Sequence, residues 1–164
     1  MPHTKMPSAF VRDGLIESVL ISLYYRKNVW SIVEGEIMAK ILVIDDDPDF
    51  VNAARMVLEN DGHIITHAIN GREGFQKAKE EQPDLVILDV MMDSILDGVS
   101  TSRKLHEDSY TANIPIIMVT SISSTSYAEL FPTDEYLHVR TFMSKPIRPA
   151  DLARQVNTVL HKRS

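Results

Sequence analysis

Short apolar runs alternate with helix-patterned segments along most of this chain, and that alternation limits the fold more than any other feature. Residues 41–44 (ILVI) are a continuous apolar run of the kind carried by parallel strands buried on both faces, and residues 84–89 (DLVILD) and 114–121 (IPIIMVTS) read as two further buried strands. Residues 63–69 and 138–143 read as two further strands. Between them lie segments of helical period. In the first, Asp47 is placed to act as N-cap and Pro48 as the first helical residue, with Phe50, Ala53, Ala54, Val57 and Leu58 spaced to form the inward stripe and Gly62 to end the helix. Asn70-Gly71 reads as a turn leading into a helix over residues 72–81, stopped by Pro83, another covers residues 99–107, and a last one carries Leu152, Val156, Val159 and Leu160 inward. Five strands alternating with helices predict a parallel sheet covered by helices on both faces.

In such sheets, ligand sites lie beyond the carboxyl ends of the strands, near the switch in strand order. Asp45 and Asp46 end the first strand and Asp89 ends the third. In a 2-1-3-4-5 order those strands are neighbours, and three carboxylates converge at one rim. Such a cluster is costly unless a cation sits in it, and hard oxygen donors with open positions suit Mg²⁺. The run "DDDPD" alone could equally be acidic residues set against a helix dipole, so Asp89 decides the matter. Thr120 and Lys145 follow the fourth and fifth strands. Singly, such residues are usually structural or solvated. A metal, an ammonium and a hydroxyl around one aspartate are what phosphoryl transfer requires, with Asp89 as the nucleophile that carries the phosphoryl group.

These residues carry a family resemblance. Residues 39–161 resemble the receiver domain of two-component response regulators through "ILVIDDDP", "PDLVILDVMM", Asp97-Gly98, "PIIMVTS" and "FMSKPI". The resemblance implies a flavodoxin-like α/β fold, Asp45 and Asp46 as the acidic pair, Asp89 as phosphoacceptor, Thr120 and Lys145 as phosphoryl and switching contacts, and Phe142 as the switch aromatic. It implies Mg²⁺ held directly by Asp46, Asp89 and the Met91 carbonyl, with Asp45 reaching it through water, and a cis Lys145-Pro146 bond. The implied partners are a sensor histidine kinase or a histidine phosphotransfer protein, and a downstream protein target. A signalling switch is expected, not an enzyme. The alternative is a Mg²⁺-dependent phosphatase of the aspartyl-phosphate type with Asp45 as nucleophile.

The chain also departs from the family pattern. The loop "DVMMDSILDG" is one residue longer than usual, lacks its Pro and Gly, and adds Asp93. The stretch between Thr120 and Lys145 is lengthened and contains Pro132, which predicts a short or partly unwound fourth helix. Met91 and Ile122 stand where receivers flank the path of hydrolytic water. Neither orients water by a strong hydrogen bond, so slow self-dephosphorylation is expected unless Asp93 substitutes for them.

Other signals exclude more than they suggest. The net charge of −6 in 164 residues argues against a general nucleic-acid binder. The absence of cysteine removes disulfides and thiolate metal sites and makes the cytoplasm the default location. His63 and His67 read as surface histidines, and "GREG" lacks the lysine and spacing of a phosphate loop. Residues 1–37 form an extension distinct from the receiver segment 38–164. The uncharged stretch 18–25 is far short of the roughly 20 residues of a membrane span. The extension is either an amphipathic helix that docks on a partner or membrane surface or sequence not native to the protein. The second reading is favoured, because Glu34-Gly35-Glu36 can be encoded by a ribosome-binding sequence just before Met38. Beyond Ser144 only a turn and one helix are expected, leaving no room for an output module.

Overall fold

The computed structural model describes residues 38–92, 97–121 and 139–161. In chain order these form β1 (Lys40–Ile44), α1 (Pro48–Asn60), β2 (Ile64–Ala68), α2 (Gly71–Glu81), β3 (Leu85–Asp89), α3 (Asp97–Glu107), β4 (Ile116–Thr120), β5 (Val139–Ser144) and α4 (Pro149–His161). The strands pair in parallel, as the alternation of runs predicts, and in the order β2-β1-β3-β4-β5 expected of a flavodoxin-like sheet. The 1–37 extension, Asp93, Ile122 and Pro132 lie outside the described residues.

Every residue of β3 and β4 is buried, which is why these strands read as unbroken apolar runs. Side chains alternate between two cores. On one face Ile41, Val43, Leu85, Ile87, Ile117 and Val119 pack against Val51, Ala54 and Leu58 of α1 and Leu152, Val156, Val159 and Leu160 of α4. On the other face Leu42, Ile44, Val86, Leu88, Ile116 and Met118 pack against Ala78 of α2 and Leu105 of α3. Truncating a fully buried residue here, such as Leu58, costs about 2–5 kcal/mol.

The helix ends follow their local chemistry. The Asp47 carboxylate accepts from the amides of Asp49 and Phe50, as the N-cap reading requires. Gly62, at φ 84°, turns the chain from α1 into β2. Helix α2 ends on Gln82 in the left-handed region at φ 48°, where its own amide and side chain both bond the Ala78 carbonyl before Pro83 blocks continuation. The Lys145-Pro146 peptide is cis.

Two expectations need correction. The buried stripe of α1 is Val51, Ala54 and Leu58; Ala53 is exposed, and Phe50 and Val57 are only partly buried. Val51, Ala54 and Leu58 stand at i, i+3 and i+7 and so form a helical stripe of their own, and it is this stripe, with Val51 and not Ala53, that lies over the sheet. His63 is not a surface histidine but is 5% exposed, and its Nδ1 accepts from the amide of Ala39 at 3.3 Å. That amide precedes β1 and needs an acceptor once buried; the ring supplies it. His67 is half-buried.

Among the described residues β2 forms one edge of the sheet. Its outward carbonyls are met by cations from the flanking helices. Arg55 of α1 donates to the Ile65 oxygen at 3.3 Å and Lys77 of α2 to the His67 oxygen at 2.5 Å. The Ile69 amide donates to Glu73 at 3.1 Å.

Candidate functional site

The C-terminal ends of β1, β3, β4 and β5 bring the predicted residues to one rim. Asp45 directly follows β1, Asp89 ends β3 and Thr120 ends β4, while Lys145 directly follows β5. Pairing sets their spacing: Ile44 lies beside Leu88, Asp89 beside Val119 and Thr120 beside Ser144. Carboxylate oxygens of Asp45, Asp46 and Asp89 come within 4.8 Å of one another. Asp45 and Asp89 are buried, whereas Asp46 is exposed.

Lys145 ties the two buried acids together. Its Nζ donates to Asp45 Oδ2 at 2.8 Å and to Asp89 Oδ2 at 2.9 Å. The Lys145 amide donates to the Thr120 carbonyl at 2.7 Å, which fixes the residue at the end of its strand. The remaining carboxylate oxygens are also engaged. The Asp47 amide donates to Asp45 Oδ1 and the Met91 amide to Asp89 Oδ1, both at 3.0 Å. The run Asp45-Asp46-Asp47 is therefore divided in role: two acids face the rim and the third caps α1.

Burial, opposed by the bonds from Lys145 and the Asp47 amide and reinforced by the neighbouring Asp89 charge, pushes the Asp45 carboxyl up to about 6. For Lys145, burial favours the neutral amine, but the hydrogen bonds to Asp45 and Asp89 outweigh it, and its pKa is raised above the ordinary value. One ammonium among three clustered carboxylates leaves the rim with excess negative charge. An all-oxygen donor set with that excess fits a hard divalent cation such as Mg²⁺.

The remaining predicted residues lie close to this cluster in the chain or the sheet. Met91 sits two residues beyond Asp89, with its side chain against the second core. Phe142 pairs with Met118 on β5 and is 42% exposed. One participant was not singled out for the site from sequence. The Phe50 ring of α1 lies over Lys145, with its centroid 4.4 Å from Nζ. Its sequence signals were its place in the apolar stripe of the first helix and its position five residues after Asp45.

Residues 41–157 match the family model of the response regulator receiver domain. Protein PilH of Pseudomonas aeruginosa is 33% identical over 127 residues, covering 75% of this chain and 98% of PilH. The alkaline phosphatase synthesis transcriptional regulatory protein PhoP of Bacillus subtilis is 31% identical over 123 residues. That match covers 75% of this chain and 49% of PhoP, so the chain spans about half of that relative. Among solved structures, chemotaxis protein CheY4 of Vibrio cholerae aligns with a TM-score of 0.65 at 27% identity, covering 74% of this chain and 98% of its own. A receiver domain protein from Methanospirillum hungatei aligns at 0.67 and 24% identity, over 77% and 96% of the two chains, and shows the shared fold. The phosphatase alternative finds no support among these matches.

Proposed function

This chain belongs to the response regulator receiver family, and we propose that it is a phosphoacceptor switch whose acceptor is Asp89. The observation that carries the reading is the Lys145 ammonium bridging Asp45 and Asp89 at the carboxyl end of the sheet. A carboxylate held beside a cation in a largely buried site is poised to receive a phosphoryl group, because charge neutralisation is most of what such transfer needs.

In the proposed reaction an Asp89 oxygen bonds to the phosphorus of a phosphohistidine on a kinase or phosphotransfer domain. The P–N bond breaks, and its electron pair returns to the imidazole. Lys145 neutralises charge on the phosphoryl group, and the Thr120 hydroxyl donates to one of its oxygens. The Met91 amide holds the other Asp89 oxygen in place. Asp46, Asp89 and the Met91 carbonyl would hold Mg²⁺, with Asp45 reaching it through water, and the ion would supply further charge neutralisation there. Phe142 is the proposed switch aromatic that passes the change at Thr120 to a downstream protein target. The chain acts as a switch and not as a turnover enzyme, in the cytoplasm, without nucleic-acid binding through this domain. No helix among the described residues is long and apolar enough to cross a membrane.

We assign the receiver to residues 38–164 and treat residues 1–37 as an extension outside it. The test of the site uses acetyl phosphate, whose P–O bond breaks to release acetate as the Asp89–phosphorus bond forms. The wild type should gain one phosphoryl group per chain in the presence of Mg²⁺, and Asp89→Asn none. Peptide mapping that places the group on another residue overturns the assignment.

A further inference from the structure

We propose that Phe50 is a positioning residue that holds the Lys145 ammonium against the two buried carboxylates. This rests on the reading of Lys145 as a phosphoryl contact. The Lys145 side chain is 15% exposed, and its Nζ has two of its three hydrogens committed to Asp45 and Asp89. The Phe50 ring covers it at 4.4 Å, within the distance at which a ring face attracts a cation, and more strongly where water is excluded. A ring face attracts the charge without offering an acceptor lone pair. It therefore stabilises the ammonium without competing with Asp89 for its hydrogen bonds.

The placement of that ring is written into the same acidic stretch. Asp47 caps α1 and accepts from the Phe50 amide at 3.4 Å, so one aspartate of the run holds the backbone that carries the ring while its neighbours form the site. Val51, Ala54 and Leu58 fill the core, and Phe50 remains at the core margin with its ring over Lys145. Without the ring, the lysine's flexible four-carbon stem has rotamers that carry the charge towards solvent.

Phe50→Leu keeps an apolar side chain at the core margin and removes the π face, and Phe50→Trp restores a face. In the unphosphorylated wild type, the side-chain methylene resonances of Lys145 should show an upfield ring-current shift that is lost in Phe50→Leu and retained in Phe50→Trp. The rate of phosphoryl uptake from acetyl phosphate should fall about three- to tenfold in Phe50→Leu, the range expected of a partly desolvated cation–π contact, and recover in Phe50→Trp. The urea midpoint should stay near wild type in both. Wild-type uptake by Phe50→Leu, or a slow Phe50→Trp whose urea midpoint falls in parallel, overturns the proposal. The ring-current comparison is decided even if the phosphoryl group goes to a residue other than Asp89, which separates failure of this contact from failure of the acceptor assignment.

Discussion

Gly98 packs so closely on Asp89 that a β-carbon at position 98 would lie 2.1 Å from the Asp89 carbonyl oxygen and 2.6 Å from the Cα of Val90. The Gly98 amide also donates to the Val90 carbonyl at 3.2 Å. The start of α3 is thereby seated on the backbone that carries the proposed acceptor. Since the obstacle is backbone, Gly98→Ala cannot be relieved by a rotamer change. It should destabilise the protein by about 1–3 kcal/mol, the usual cost of overpacking, and slow phosphoryl uptake. Urea unfolding at wild-type stability would show that α3 can move away without cost.

The raised Asp45 carboxyl gives a pH dependence with a defined sign. Between its ordinary value of 3.8 and about 6, the native state binds this proton more tightly than the unfolded state does. Metal-free stability contributed by this group therefore falls as pH rises through that window, by up to about 3 kcal/mol. The raised pKa of Lys145 acts only above the ordinary lysine value of 10.5 and leaves the window untouched. The lowered carboxyls of Glu73, Asp108 and Asp151 act in the opposite sense at lower pH. Comparison with Asp45→Asn isolates the effect: the variant should gain on the metal-free wild type as pH rises from 4.5 to 7.5. Mg²⁺ should raise the wild-type melting temperature more at pH 7.5 than at pH 4.5, and an equal rise at both would contradict the assignment of excess charge.

The side chains that meet the outward carbonyls of β2 suggest a guard against edge pairing. Arg55 and Lys77 occupy the Ile65 and His67 oxygens, while Ile64 and Ile69 stand more than half exposed nearby. An unpaired, partly apolar edge is a template for a second chain. Replacing both cations with alanine should raise the weight-average mass in sedimentation at increasing concentration, relative to wild type. Identical masses across the series would mean that these hydrogen bonds play no protective part.

Deletion of residues 1–37 should leave folding and phosphoryl uptake intact. The Ala39 amide is already satisfied by His63, and β1 is paired on both sides by β2 and β3. Thermal melts and acetyl phosphate labelling of a chain starting at Met38 check this, and loss of either would assign the extension a structural role.

Much of the fold was legible in the sequence because burial on both faces leaves a direct trace. Residues 41–44, 85–88 and 116–119 are apolar throughout since each side of the sheet is covered, and Asp47-Pro48 and Asn70-Gly71 mark helix starts by local hydrogen bonding and backbone preference alone. The acids at the strand ends were legible for the same reason: each closes an apolar run. Tertiary structure decided what no local pattern encodes. Lys145 meets Asp45 across 100 residues of chain because β5 and β1 end at the same rim of one sheet, and their separation there depends on strand order and register. The helical period placed Phe50 inward, but only the packing of α1 on the sheet set its ring over Lys145. His63 looked solvated because no carboxylate partner was evident for it, yet its ring accepts the buried Ala39 amide that precedes β1. Spacing along the chain records which face a residue takes, and packing alone determines which residue it meets there.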